Sequence, residues 1–325
     1  ETDTAEDPNR PMEGEDRDGD GLDDAWEFRA GDPEMLDWTK ADTDGDGILD
    51  GDEDPDGDRL NNRDEHAFWV ALGDPAPDPL QFTLLVELDA MVGRTVPDDV
   101  LDMVVEAYAV LDLTVGEGRP GIDLHMYWDQ RDVPSMVLDG SFEQRHALLS
   151  NNGPEFNGID TDALALEQMI HVMIVSQRAD DLFRGGEVVT DGGNDPNKTG
   201  VLVFLDTLIE LHPNCGGGID DREDITLNRA LANTLVHELG HTLQLGHDTM
   251  EGGDINAYNI MSIPNSCLTA QQRAYGVDND DPILGNTEAV AAPRFSRDAI
   301  ELMQLDTILS VDVARLDNEG LGREM

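Results

Sequence analysis

The pattern of apolar and polar residues changes character near residue 80. Apolar residues are scarce before that point, and beyond it short apolar runs alternate with segments of helical periodicity. The runs at 82–89 and 121–128 predict strands, and the repeat at 100–111 predicts a helix between them. This order of strand, helix and strand indicates a mixed α/β layer, and we expect an α+β fold overall.

Further elements are predicted downstream. Residues 161–177 have apolar residues at helical spacing, 185–200 is rich in Gly, Asp and Asn and predicts a surface loop, and 201–209 is the most strand-like run of the chain. A helix should begin near Asp224 or Thr226, because both residue types cap helices well. Its leucines recur every four residues and give it a side that faces the core.

The same pattern predicts the domain organisation. Residues 1–15 predict a disordered acidic leader, 16–72 a small module, 73–79 a Pro-rich linker, and 80–325 one large domain.

The charge balance restricts the partners and the environment. The chain has 71 acidic and 20 basic residues, a formal net charge of −51, and only 27 of the acidic residues lie in the first 75 positions. A surface of this kind repels itself unless counter-ions screen it, which is typical of proteins from salt-loving microbes; an ordinary acidic mesophile protein is the alternative. Nucleic acid and anionic membranes are poor partners for such a surface.

No apolar run in the sequence is long enough to span a membrane. The chain begins at Glu1 without a signal peptide, so we expect a processed product or an excised region. We expect an extracellular or cell-surface location, with any association with the cell surface made through regions outside this chain.

The strongest chemical signal is the stretch from His237 to His247, which holds three of the eight histidines. His237 and His241 are four residues apart, so on a helix their rings share one face and can reach one Zn²⁺. Glu238 lies beside the first ligand, where its carboxylate can take a proton from water. A catalytic zinc has three protein ligands, and His247 is the nearest third candidate.

A chance occurrence of H-E-x-x-H on an amphipathic helix is the alternative. The concentration of histidines argues against it, and so does the segment Asn259–Ser262, which supplies a methionine at a suitable distance downstream.

These residues resemble the metzincin metalloproteases, whose signature is an extended H-E-x-x-H motif followed by a methionine-containing turn. His237, Glu238, His241 and His247 match the motif, and Met261 matches the Met-turn. Among metzincins, the pappalysin-like group is the one that this sequence most resembles. The resemblance implies a two-subdomain zinc protease fold for 80–325, with Met261 beneath the metal and not bound to it. It also implies that the strand before the zinc helix is an exposed edge that binds peptide; a buried interior strand is the alternative.

One position departs from the family pattern. The family glycine falls on Gln244, and this chain has a glycine at Gly246 instead. Either Gln244 adopts a strained positive φ, or the turn towards His247 is displaced to Gly246.

Three loops in the N-terminal module follow the calcium-loop register, with oxygen ligands at positions 1, 3, 5, 7, 9 and 12. Position 6 is glycine in the first two loops and Arg59 in the third. The ligand positions are, for the first loop, Asp16, Asp18, Asp20, Leu22, Asp24 and Glu27; for the second, Asp42, Asp44, Asp46, Ile48, Asp50 and Glu53; and for the third, Asp54, Asp56, Asp58, Leu60, Asn62 and Glu65.

The second and third loops are contiguous, so they cannot form a paired EF-hand. They resemble thrombospondin type 3 repeats, in which calcium replaces a hydrophobic core, and the first loop resembles an EF-hand-like or dockerin-like unit. About three structural Ca²⁺ ions are expected. A solvated Asp/Gly linker is the alternative.

Cys215 and Cys267 flank the zinc helix in sequence. They predict either a disulfide that ties the preceding loop to the segment after the Met-turn, or two separate thiols.

Together these features predict a zinc endopeptidase that acts on peptide or protein substrates at high salt, with one catalytic zinc and Glu238 as the general base. The alternative is a calcium-dependent surface or adhesion protein with a catalytically silent zinc-fold domain. A non-peptidase zinc hydrolase also stays open.

Overall fold

The structure is a computed structural model that describes part of the 325-residue chain in detail. The described residues are 11, 13–58, 60–73, 76–151, 170–181, 184–189, 200–211, 226–243, 245, 260–261, 295 and 303. Those up to Thr83, together with Leu113–His125, form one compact unit, and the other described residues form a second. The predicted boundaries at residues 16, 73 and 80 stay predictions.

The chain is mixed α/β, as the sequence predicts, with a five-stranded and mostly parallel sheet. The strands are β1 Thr83–Ala90, β2 Asp123–Trp128, β3 Ile170–Val175, β4 Gly186–Val189 and β5 Gly200–Phe204. Their order in the sheet is β2-β1-β3-β5-β4. β3 runs parallel to β1 and β5, and β4 pairs antiparallel with β5.

Six α-helices are present among the described residues. They are α1 Asp24–Ala30, α2 Asn62–Leu72, α3 Asp98–Ala109, α4 Phe142–Asn151, α5 Leu205–Leu211 and α6 Leu227–Thr242. None of them is long and apolar enough to cross a membrane.

Three sequence predictions are wrong in part. The segment 170–175 is the strand β3 and not a helix, because its β-branched residues are buried on both faces of the sheet. β4 begins within the stretch predicted as a surface loop, where Glu187 and two valines form the strand. The strand predicted over 201–209 ends at Phe204, and α5 begins at the next residue.

The position of β5 decides between the two expectations for this strand in favour of the buried interior strand. β5 lies between β3 and β4 and is buried along its whole length, so it is an interior strand. Among the described strands, β4 is the edge strand on this side of the sheet.

The helix α4 was not predicted, although its N-terminus carries a sequence signal. The Ser141 hydroxyl accepts a hydrogen bond from the Gln144 N–H, and the Gln144 side chain accepts one from the Asp139 N–H. The spacing of Ser141 and Gln144 is that of a capping box.

The helix α6 is the most deeply embedded helix of the second unit. Thr226 caps it by accepting a hydrogen bond from the Arg229 N–H at 3.1 Å, which confirms one of the two predicted starts. Every residue from Arg229 to Thr242 is buried, and the helix packs against α3, α5, β4 and β5. Tyr108 of α3 donates its hydroxyl to the Val236 carbonyl at 3.2 Å. Packing on several sides therefore fixes the orientation of the histidine-bearing turns.

The first unit contains a small apolar cluster that the sequence did not predict. Its buried members are Leu22, Trp26, Ala30, Leu36 and Leu80. The first acidic loop therefore contributes Leu22 to a modest hydrophobic core.

Candidate metal centres

His237 and His241 lie one turn apart on α6 and face each other. Their Nε2 atoms are 3.0 Å apart, and each residue is only 1% exposed. Each Nδ1 lies against a backbone carbonyl, 2.7 Å from the Ile260 oxygen for His237 and 2.6 Å from the Leu245 oxygen for His241.

These carbonyls determine the protonation of both rings. A carbonyl oxygen only accepts hydrogen bonds, so each Nδ1 must carry the proton. In the neutral rings, both Nε2 atoms therefore present lone pairs to one another across 3.0 Å. Two facing lone pairs repel unless a cation or an added proton lies between them. Carbonyl partners of this kind orient metal-binding histidines, so the pair fits a metal ion.

Glu238 lies next to this pair and is 4% exposed. It approaches the edge strand β4 so closely that a Cβ at Gly186 would lie 2.6 Å from its Cγ and 2.7 Å from its Oε1. Gly186 thus leaves the space that the Glu238 side chain occupies, a role that the sequence did not reveal.

Met261 lies beneath the histidine helix. It is 1% exposed, and a Cβ at Gly240 would lie 2.7 Å from its sulfur. The preceding residue, Ile260, supplies the carbonyl that holds His237. The predicted Met-turn residue is thus adjacent to the H-E-x-x-H helix, and the glycine in that motif provides its space.

The helix α6 ends at Thr242. The Leu243 and Leu245 N–H groups both donate to the Gly240 carbonyl, at 3.1 and 3.2 Å. The helix therefore ends before His247, as expected. His247, Gln244, Gly246, Cys215 and Cys267 lie outside the described residues, so the third ligand, the displaced turn and the disulfide stay predictions.

The three acidic loops share one hydrogen-bond pattern. The carboxylate at position 1 accepts from the N–H at position 4 in each loop, at 2.7–2.8 Å. The N–H at position 7 donates to the carboxylate at position 5, and the N–H at position 9 donates to the carbonyl that precedes the loop. Positions 1, 3 and 5 bring ligand oxygens within 4.8 Å of one another in every loop. These clusters could bind metal ions.

Several buried oxygens in these loops have no hydrogen-bond partner among the described residues. Both carboxylate oxygens of Glu27 and of Glu65, which occupy position 12 of the first and third loops, are of this kind. Others belong to Asp18, Asp20, Asp56 and Asn62. Buried charged oxygens are costly without a partner, so this donor set fits hard cations.

The pKa values follow from the same burial. Removal from water, together with neighbouring carboxylates, raises the pKa of Glu27 to about 9 and that of Asp56 to about 9. Burial likewise raises the pKa of Glu53 to about 7 and that of Glu65 well above its usual range. Without a cation these sites favour protonated carboxyl groups.

A fourth acidic group lies in the sheet of the second unit and was missed in the sequence. Glu87, Asp89 and Asp129 bring oxygens within 4.8 Å of one another, and the first two are fully buried. His171 lies 3.1 Å from Asp89 through Nε2. The sequence signal for this group is the pair Glu87 and Asp89, two acidic residues at alternate positions of an otherwise apolar strand. His171 itself is 4% exposed and lies in the interior of the sheet.

His125 is a buried histidine of β2 that is 6% exposed and lies 2.7 Å from Asp123.

Comparison with known proteins gives a distant structural likeness. No family model matches the sequence, and no curated protein matches it. Among solved structures, the chain is similar to metalloproteinase-II from Bacteroides fragilis, with a TM-score of 0.38 and 14% sequence identity. The match covers 68% of this chain and 53% of that chain, so it spans about half the length of that structure. The metzincin fold stays a prediction.

The acidic loops lead to a prediction about pH. After removal of divalent ions, the stability of the first unit should fall as pH rises from about 4.5 towards 9. Glu27 has an ordinary pKa of 4.5 and a folded pKa of about 9, so the folded chain binds the extra proton and loses that stabilisation as the group ionises.

Urea unfolding followed by tryptophan fluorescence, at constant ionic strength and at several pH values, measures this trend. Excess calcium should abolish the decline, because bound cations favour the ionised carboxylates. A metal-free stability that increases across this pH range would contradict the prediction.

Proposed function

We propose that the chain is a zinc-dependent endopeptidase of metzincin type, secreted or held at the cell surface and active at high salt. The observation that carries the proposal is the facing pair of Nε2 lone pairs on His237 and His241, each fixed by a carbonyl on the opposite ring nitrogen. His247 would complete the ligand set. Bound zinc would supply Lewis acidity towards the scissile carbonyl and would lower the pKa of water.

Glu238 provides the proton transfer in this proposal. Its carboxylate would accept a proton from the attacking water and then donate it to the departing amine nitrogen. Burial of the side chain and its contact with β4 restrict where the carboxylate can lie. A protein that only binds ligands has no need of a carboxylate held in this way.

The edge strand β4 is the proposed peptide-binding surface. An extended peptide can add to an exposed strand edge through main-chain hydrogen bonds. Gly186 begins β4 and borders Glu238, so a peptide paired with this strand would pass the general base. This assigns to β4 the role that the sequence had suggested for the strand at 201–209.

Calcium is the proposed occupant of the three acidic loops. The alternating carboxylates, the buried unpartnered oxygens and the net charge of −51 favour a hard divalent cation. The loops have only a small apolar cluster beside them, so the ions would serve mainly to hold the fold. A structural role of this kind suits an extracellular environment, where calcium is abundant.

The function is tested with Glu238→Gln, which keeps the size of the side chain and removes the proton acceptor. Cleavage of an unstructured protein should fall by about 10²–10⁴-fold at multimolar salt with calcium present. The zinc content should stay at the wild-type level. Glu143→Gln, which removes an exposed acid from the first turn of α4, is the control and should keep full activity.

Two outcomes would overturn this proposal. Equal activity of Glu238→Gln and wild type would exclude Glu238 as the base. If both proteins bind zinc and neither cleaves peptides, the surface or adhesion function becomes the better account.

A second prediction concerns the contact between β4 and Glu238. Gly186→Ala should push the carboxylate away and lower kcat by about 10²-fold, because small misplacements of catalytic groups are costly. Zinc content should not change. The matched control is Gly185→Ala, whose added Cβ would meet the flexible Leu208 side chain at 3.0 Å. Equal kcat values for the two variants would show that Gly186 does not position Glu238.

A further inference from the structure

The first and second acidic loops meet at a site that neither loop forms alone. Asp20 and Glu27 belong to the first loop, and Asp50 is position 9 of the second. Ligand oxygens of these three residues lie within 4.8 Å of one another. Asp20 and Glu27 are each 1% exposed and Asp50 is 0% exposed, so the group is closed to solvent.

Unpartnered oxygens point to a cation at this site. Both carboxylate oxygens of Glu27 and Oδ2 of Asp20 are buried and accept no hydrogen bond from the described residues. Three carboxylates in so small a volume repel one another strongly unless a cation lies among them or a proton neutralises one of them.

The loop register places Asp24 at position 9 of the first loop, but its carboxylate contacts Arg17. Its Oδ1 accepts the Arg17 N–H at 2.9 Å, and its Oδ2 lies 3.0 Å from the Arg17 guanidinium. Asp24 is therefore absent from the group around Glu27, and Asp50 takes its place.

The backbone holds the two loops together at this point. A Cβ at Gly51 would lie 2.7 Å from the Asp20 carbonyl oxygen, which is too close for any side chain. The two backbones therefore approach this closely only because residue 51 is glycine. Arg63 of α2 donates to the same carbonyl at 2.6 Å and also pairs with Asp52. Gly51, the residue after Asp50, is thus held against the backbone of the first loop.

Asp50 is also oriented from its own loop. The Thr43 N–H donates to Oδ1 at 2.7 Å, and the Thr43 hydroxyl donates to Oδ2 at 2.6 Å. Each carboxylate oxygen has more than one lone pair, so both keep the capacity to bind a cation.

We infer that Asp50 is a ligand of the cation in the first loop, and that the first and second loops therefore bind calcium as one cooperative unit. The inference rests on the calcium part of the proposed function and is independent of peptidase activity. It requires the second loop to be folded before the first can bind at full affinity.

The test is a calcium titration of the chelator-treated full chain at high salt, followed by ¹H–¹⁵N NMR. The Gly21 and Gly47 amides report the two loops separately, because each donates to the first aspartate of its own loop. Asp50→Asn should raise the calcium concentration at the midpoint of the Gly21 transition by about tenfold or more. Glu34→Gln, at an exposed acid between the two loops and with the same change in charge, should move it by less than about twofold.

A second variant distinguishes the loss of a shared ligand from a folding defect in Asp50→Asn. Asp44→Asn removes an exposed ligand that belongs to the second loop alone. Cooperative loops predict that the Gly21 midpoint also rises in this variant, whereas independent loops predict that only Gly47 responds.

The outcomes separate the two claims. A Gly21 midpoint that stays within about twofold of wild type in both Asp50→Asn and Asp44→Asn overturns this inference and leaves calcium binding intact. A wild-type chain whose Gly21 and Gly47 amides do not respond to calcium overturns the inference together with the calcium part of the proposed function.

Discussion

The candidate active site depends on two hydrogen bonds from imidazole to backbone. The carbonyls of Ile260 and Leu245 fix the Nδ1 protons of His237 and His241, so the lone pairs on Nε2 must face each other. One carbonyl comes from the turn that carries Met261, and the other from Leu245, three residues beyond the end of α6. Main-chain atoms therefore determine which ring nitrogen of each histidine can bind a metal ion. The side-chain pattern of the motif does not specify those atoms.

The acidic loops also bury electron-pair donors, which here are carboxylate oxygens instead of imidazole nitrogens. Several carboxylate oxygens of the loops accept no hydrogen bond from the described residues, whereas the buried Nε2 atoms of α6 face each other at 3.0 Å. Nitrogen donors suit zinc, and hard oxygens suit calcium. Because unpaired buried charge is costly, the acidic loops would be most stable with a cation bound. Under the proposed function, the fold therefore couples stability to metal binding.

Local chemistry was easier to predict from the sequence than long-range pairing. The buried strand β1, the helices α3 and α6 and the repeated loop register follow from periodicity and capping. The strand β3 was mistaken for a helix because a short apolar run does not distinguish the two structures. Gly186 beside Glu238 and Asp50 beside Glu27 are tertiary contacts between distant segments, so spacing along the chain could not reveal them.

X-ray absorption at the zinc edge, on protein reconstituted with one equivalent of zinc, tests the account of the histidine pair most directly. The account predicts a first shell of nitrogen and oxygen donors at about 2.0–2.1 Å with imidazole scattering beyond it. Replacing His237 with alanine should weaken that scattering and release zinc. Sulfur neighbours at about 2.3 Å, or a spectrum unchanged by the substitution, would place zinc elsewhere and contradict the account.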